Sequence, residues 1–170
     1  MHVAELTPSR ALQPSLLDRL TDDEPERRSE APDRSILTVG RLRDAVRRDL
    51  GSIMNATHLS AVQDLSAYPF VAVSALNFGI PDLAGRPASS INSSDLARSV
   101  QRAIVAFEPR LLGSSLRVNV SLGDADQDRN TLHFDVAADL WCEPAPIRLR
   151  FRAELNLEDG EALVLESEPG

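Results

Sequence analysis

Residues 147–155 have the sequence Ile-Arg-Leu-Arg-Phe-Arg-Ala-Glu-Leu, in which apolar and charged side chains alternate without a break. Successive side chains of a β-strand point to opposite faces, so this pattern predicts a strand with one buried and one solvent-facing side. Residues 116–122 and 132–140 alternate in the same way, and the apolar run 162–165 is a candidate fourth strand. Turn-forming residues separate these runs, which predicts an antiparallel meander in the C-terminal half.

Two amphipathic helices are predicted before the sheet, over about 38–55 and 94–107. Thr38 is a suitable N-cap for the first, and Pro109 ends the second. An apolar sheet face must be covered, most simply by these two helices. The predicted fold class is therefore α+β, with a small antiparallel sheet of three to four strands packed by two main helices.

The domain organisation follows from composition. Residues 1–34 are predicted to be an extended N-terminal tail, and residues 35–170 a single α+β domain. Between the helices, Tyr68-Pro69 marks an extended entry because a residue before proline avoids the helical region. The apolar and partly β-branched residues 70–76 favour a short strand there.

Within the tail, Leu16, Leu17 and Leu20 share one face of a short amphipathic helix. The charged, proline-containing residues 21–34 follow it and are predicted to be a mobile linker. An apolar helix on a mobile tether either folds back on its own domain or docks onto another chain. We predict that the three leucines bind a partner.

Composition excludes several classes of function. The chain has 170 residues, a net charge of −8 and 42% apolar residues, so it is globular and unsuited to nucleic acid as its main partner. A single cysteine rules out an internal disulfide and fits a reducing cytosol. The N-terminus has no signal-peptide pattern, and no apolar run is long enough to span a membrane. These features predict a cytoplasmic protein without direct membrane insertion.

Hydrolytic and metal chemistry find little support. Glycoside hydrolysis usually needs two carboxylates, one with a raised pKa, whereas Glu108 is followed two residues later by Arg110, which would depress that pKa. Asp124, Asp126 and Asp128 alternate as in a calcium loop, but the glycine and closing glutamate of an EF-hand are missing. We predict no catalytic residue and no metal site.

Nucleophilic catalysis and cofactor binding are no better supported. Cys142 has no evident partner beyond His58 and His133, and the histidines lack the spacing of metal ligands. The chain has no glycine-rich phosphate loop. We therefore predict no cofactor.

Four stretches carry a family resemblance: Ser-Leu-Leu-Asp-Arg-Leu at 15–20, Val-Arg-Arg-Asp-Leu at 46–50 with Asn55, Tyr68-Pro69 with Ser-Ala-Leu-Asn-Phe-Gly-Ile-Pro-Asp-Leu at 74–83, and Ala-Phe-Glu-Pro-Arg-Leu at 106–111. In this order and spacing they cover most of the chain. The chain resembles the TssE family of type VI secretion baseplate proteins, which is related to a wedge protein of contractile phage tails. Members of that family have also been labelled lysozyme-like.

The resemblance implies a structural subunit and not an enzyme. It implies a place in the baseplate wedge beside two larger subunits of the TssF and TssG type, and contact with the first ring of the contractile sheath, made of TssB- and TssC-type subunits. The expected location is the cytoplasm, at the inner face of the cytoplasmic membrane. A peptidoglycan hydrolase and an unrelated cytoplasmic adaptor remain the alternatives.

The turn Glu108-Pro109-Arg110 is the family's signature, and two interpretations of it stay open. In the structural one, proline stops the helix, Glu108 caps it or braces a strand, and Arg110 satisfies helix-end carbonyls. In the functional one, both charges point outward into a neighbouring subunit. The resemblance favours the second, so all three residues are predicted to bind a partner.

Arg148, Arg150 and Arg152 form a basic row on one side of the predicted sheet. Three or four strands are too few to close a barrel, so the sheet has at least one open edge. The resemblance implies that sheath subunits exchange strands, so an acidic sheath arm is predicted to add to this edge beside the arginines. The alternative is an edge protected by the chain's own residues 162–168.

Overall fold

A computed structural model describes residues 38–123, 130–142 and 145–166, together with Leu20 and Glu26. Within these residues the secondary structure comprises helices α1 (Val39–Met54), α2 (Pro69–Ala72) and α3 (Ser93–Phe107), and strands β1 (Arg117–Leu122), β2 (Thr131–Leu140), β3 (Ile147–Asn156) and β4 (Ala162–Glu166). Single 3-10 turns occur at Leu59–Ala61, Ala75–Asn77 and Ala88–Ser90.

The four strands form one antiparallel sheet in the order β1-β2-β3-β4. Strand neighbours in the sheet are therefore neighbours in sequence, as in a meander. The predicted α+β fold with a C-terminal antiparallel sheet is confirmed. β1 and β4 are the two edge strands, and β4 covers the outer side of β3.

Helices α1 and α3 cover the apolar face of the sheet. α1 contacts β4, α3 contacts β1, and the two helices contact each other. Thr38 caps α1 by accepting the Arg41 N–H, and Asn92 caps α3 by accepting two N–H groups. The core consists of side chains from every one of these elements, including Val46, Leu50, Ile53, Val100, Ile104, Val118, Phe134, Leu140, Phe151, Leu155 and Val164.

Residues 70–76 do not form a strand, so that prediction is wrong. Pro69 occupies the first turn of the short helix α2, where its fixed φ is favourable and its missing N–H is not needed. The side chain of Ser74 then accepts the Leu76 N–H at 3.3 Å and starts the next 3-10 turn. The apolar and partly β-branched composition predicts a short strand, whereas proline and serine set the local backbone.

Several sequence predictions lie outside the described residues. They are the positions of Leu16 and Leu17, the linker 21–34 apart from Glu26, and the Asp124, Asp126 and Asp128 turn. Leu20 is in a helical conformation with an exposed side chain. The division into a tail of 1–34 and a domain of 35–170 therefore stays a prediction.

In the part of the chain that the structure describes, no helix combines the length and the apolar character needed to cross a membrane.

Gly79 lies between α1 and α3, where the chain passes close to the backbone of Ala56. Its φ is +113°, and a Cβ at this position would lie 2.1 Å from the Ala56 carbonyl oxygen. Other residues rarely adopt such a φ, and no shift of a flexible side chain could relieve a contact with backbone.

Replacing Gly79 with alanine is therefore expected to lower the free energy of unfolding by about 2–4 kcal/mol. Urea denaturation followed by circular dichroism measures this change. Gly85→Ala is the matched control, because φ there is +70° but a Cβ would meet no atom within 4 Å. Equal losses in the two variants would contradict the role of the Ala56 contact.

Candidate partner-binding site

The signature turn joins the end of α3 to the sheet. The Glu108 N–H donates to the Ile104 carbonyl at 2.8 Å, and Pro109 then ends the helix. The Trp141 N–H donates to the Arg110 carbonyl at 2.8 Å, just after β2. The turn is thus held from both sides, by the helix and by the end of the central strand.

A buried charge network lies at this turn. The Glu108 carboxylate is only 1% exposed and accepts hydrogen bonds from the Arg110 N–H at 3.2 Å and from its Nε at 2.7 Å. Arg110 Nη2 also binds Glu108 Oε2 and the Asp49 carboxylate of α1. Asp49 in turn accepts from Arg48 Nε at 3.0 Å. Arg110 therefore links α1 to the turn that follows α3.

The network keeps Arg110 charged. Burial lowers the pKa of the Arg110 guanidinium, but the hydrogen bond and charge of Glu108, followed by the charge of Asp49, raise this pKa by more. The net effect is a pKa above the usual range. A buried carboxylate with an arginine fork is stable only as a pair, since either charge alone would lose hydration without compensation.

The structure corrects one expectation about the turn and leaves another open. The prediction that both charges point outward is wrong for Glu108, because its carboxylate is enclosed and bound by Arg110. Arg110 binds the carboxylates of Glu108 and Asp49, whereas the structural interpretation had it satisfy helix-end carbonyls. That Glu108, Pro109 and Arg110 act in partner binding stays a prediction.

Asp49 is the member of this network that the sequence did not reveal. It lies 61 positions before Arg110, on a helix whose pattern shows only that Asp49 precedes the buried Leu50. The stretch 46–50 was among those carrying the family resemblance, and that was its only signal.

The predicted basic row of β3 is exposed, but two of its members already have partners. Arg148 Nη1 lies 3.0 Å from Asp139, and Arg152 Nε lies 3.1 Å from Asp135, both on β2. Arg150 stands opposite Ala137 and forms no ion pair with a described residue. The row is therefore flanked by acids, and Arg150 is its most available cation.

The β4 edge is partly closed by a side chain from the end of α1. Asn55 Nδ2 donates to the Ala162 carbonyl at 2.8 Å, and Asn55 Oδ1 accepts the Ala162 N–H at 2.9 Å. The outward backbone groups of an antiparallel strand alternate, so those of Val164 point the same way as those of Ala162. Strand β4 therefore offers its outward groups from Val164 onward.

The candidate nucleophile and bases lie apart from one another, beside local neighbours. The buried Cys142 Sγ donates to the Ala145 carbonyl at 2.9 Å, and His58 Nδ1 lies 2.9 Å from Ser60 Oγ. His133 Nδ1 lies 3.7 Å from a Glu154 oxygen on the adjacent strand. Among the residues with a described placement, no three His, Cys, Asp or Glu side chains form a group suited to a metal ion.

A double-mutant cycle tests the charge network. Arg110→Gln leaves the Glu108 carboxylate buried without its cation, so the free energy of unfolding should fall by about 3–5 kcal/mol. Adding Glu108→Gln removes that buried charge, so the double variant should lose less than the sum of the single losses. Arg148→Gln, at an exposed ion pair, is the control and should lose about 0–1 kcal/mol. Equal losses for Arg110→Gln and Arg148→Gln would exclude a structural role for the network.

Comparison with known proteins identifies the family. The family model described as baseplate wedge protein gp25 matches residues 40–145, which is more than half of the chain. That range includes α1, the Glu108-Pro109-Arg110 turn and β2. Searches of curated proteins and of solved structures give no significant match. Because it covers more than half of the chain, the match shows that this chain belongs to the gp25 family of baseplate wedge proteins.

Proposed function

We propose that this protein is the TssE-type wedge subunit of a type VI secretion baseplate, where it joins the larger wedge subunits to the first ring of the sheath. The family match carries this proposal, since the gp25 family supports a structural role in a phage-tail-like baseplate. The larger partners would be of the TssF and TssG type, and the sheath subunits of the TssB and TssC type. The assembly would stand in the cytoplasm at the inner face of the cytoplasmic membrane.

The proposal includes the absence of enzymatic activity. A general acid must lie within hydrogen-bond reach of the substrate atom that it protonates. The Glu108 carboxylate is enclosed, and it accepts three hydrogen bonds from Arg110. This arrangement argues against a role for Glu108 in peptidoglycan hydrolysis, the leading alternative.

The signature turn would act by holding the domain in the shape that its partners bind. The Arg110 link between α1 and the turn fixes two helices that flank the sheet. The turn also anchors the end of β2 through Trp141. Glu108, Pro109 and Arg110 would then influence wedge assembly through the position of these elements, with Arg110 the only charged member that is partly exposed.

The sheet edge is the proposed sheath contact. An edge strand presents unpaired backbone N–H and C=O groups, and an extended arm can add to it by strand pairing. β1 and β4 are both edges of the described sheet. Arg148, Arg150 and Arg152 would favour an acidic arm, with Arg150 contributing most because Arg148 and Arg152 already contact carboxylates.

Proline substitutions test the strand addition. Val164 in β4 and Val120 in β1 are at outward-facing backbone positions, so proline there removes an N–H that an added strand would need. We expect one of the two variants to abolish sheath formation, scored as fluorescent sheaths per cell. Val164→Ala and Val120→Ala keep the N–H and serve as controls for lost side-chain packing. Normal sheath numbers in both proline variants would refute strand addition.

A peptide-binding assay tests the arginines. Changing Arg148, Arg150 and Arg152 to glutamine should leave the fold intact, because their side chains are exposed. Binding of a sheath-arm peptide should weaken at low salt, and the difference from the parent protein should shrink as salt screens the charges. A variant that binds like the parent at low salt would remove the arginines from the proposal.

The N-terminal leucines are the proposed contact with the larger wedge subunits. Each of Leu16, Leu17 and Leu20 would contribute roughly 1.5–3 kcal/mol on burial, before the cost of ordering the segment. Deleting residues 1–20 should leave the melting temperature nearly unchanged and weaken co-purification with the larger subunits. Changing the three leucines to serine tests the same contact in a protein of full length. A marked drop in melting temperature would show instead that the leucines pack against their own domain.

A further inference from the structure

Residues 56–80 form a loop that is closed at its base. The Ile80 N–H donates to the Ala56 carbonyl at 2.9 Å, and the His58 N–H donates to the Ile80 carbonyl at 3.0 Å. Leu65 and Ile80 are buried and anchor the loop to the domain. Gly79 permits the close approach of the two chain ends, as described above.

The loop is also braced internally by one side chain. Asn77 Oδ1 accepts the Ser60 N–H at 2.9 Å, and Asn77 Nδ2 donates to the Ala72 carbonyl at 2.9 Å. These two bonds connect the 3-10 turn Leu59–Ala61, helix α2 and the 3-10 turn Ala75–Asn77. The outer side of the loop is consequently a surface of defined shape.

That outer side carries large apolar side chains among exposed polar ones. Five large apolar side chains are exposed on it by more than half: Val62 82%, Tyr68 57%, Phe70 87%, Val73 75% and Leu76 71%. Together they present on the order of 300–400 Å² of apolar surface. The largest apolar patch on a typical monomer is of this size and often marks a binding site, whereas a standard interface needs about 800 Å² per partner. The patch is large enough to form the apolar centre of such an interface.

The charges around the patch restrict what can bind there. Residues 50–85 contain two carboxylates, Asp64 and Asp82, and neither Arg nor Lys, although the chain has 18 basic residues elsewhere. The Ser66 N–H and hydroxyl both donate to Asp64 and lower its pKa, so this exposed carboxylate stays charged. A partner with basic residues beside an apolar face would complement the patch.

We propose that Val62, Tyr68, Phe70, Val73 and Leu76 form a docking surface for an amphipathic helix of a larger wedge subunit, with a basic residue beside its apolar face. The contact would be made by side chains, because the loop consists of single helical turns and offers no strand edge. The inference rests on the proposed function for the identity of the partner. It adds a second wedge contact, separate from the N-terminal leucines.

Two other occupants fit the surface less well. A membrane with anionic lipids attracts surfaces rich in Lys and Arg, and this surface carries a carboxylate instead. A symmetric contact between two copies would bring the Asp64 carboxylates of both copies to the same interface. A helix with a basic residue beside its apolar face would cover the exposed apolar side chains and pair with Asp64.

The test uses the full-length protein and the purified complex of the larger wedge subunits from the same secretion system. Phe70→Ser with Leu76→Ser should weaken the dissociation constant at least tenfold in biolayer interferometry. Leu163→Ser, which changes a leucine of similar exposure on β4, is the matched control and should stay within twofold. Asp64→Asn should weaken binding two- to fivefold and reduce its salt dependence. Unchanged thermal melting of each variant confirms that the fold is retained.

Several results would overturn the inference. If the parent protein binds the complex and the double variant binds equally well, the docking surface is refuted while the wedge function stands. If the parent protein does not bind the complex at all, the proposed wedge function and the docking surface fail together. If the parent protein self-associates and Phe70→Ser abolishes that association, the occupant is a second copy. If the parent protein binds phosphatidylcholine vesicles and the Phe70→Ser variant does not, the occupant is a membrane.

Discussion

One face of the four-stranded sheet is apolar, and only helices α1 and α3 are available in the described domain to shield it from water. The alternation of buried and exposed residues along β2 and β3 makes this constraint strict, because a shift of one residue would exchange the two faces. Each helix contacts one edge strand, α1 at β4 and α3 at β1. The helices therefore set the position of both edges that the sheet presents to other proteins.

The Arg110 network fixes the two helices relative to each other. The Arg110 guanidinium binds both Glu108 at the end of α3 and Asp49 on α1, and Asp49 also accepts a hydrogen bond from Arg48 of its own helix. An intact buried ion pair adds little net stability, whereas removing one member is strongly destabilising. The network therefore fixes the arrangement of helices and sheet edges more than it adds to stability. The signature turn thus has a clear physical role without any chemistry at Glu108.

The helices and strands were predictable because their signals are local. Periods of 3.6 and 2 in the apolar residues, together with Thr38 and Pro109 at helix ends, define them within one or two residues. The failures have a different physical origin. The apolar composition of residues 70–76 predicts a strand, whereas their backbone is set by Pro69 and by the hydrogen bonds of Asn77 to Ser60 and Ala72. The Asp49–Arg110 contact depends on the packed fold and has no local signal.

The sequence could not predict that side chains of the loop 56–80 are exposed, because exposure also depends on the packed fold. An apolar run normally indicates burial, and only the packed structure shows that Leu65 and Ile80 face inward while Phe70 and Leu76 face outward.

The two kinds of open surface on this domain, the strand edges and the loop 56–80, differ in what they can recognise. A strand edge binds through backbone groups that every partner sequence possesses, so it suits a repeated arm whose identity is set mainly by register and charge. A braced loop binds through particular side chains, so it can discriminate one helix from others. In the proposed function, the subunit would use the loop to hold specific neighbours and a strand edge to start the sheath, and the fold keeps these surfaces on separate elements.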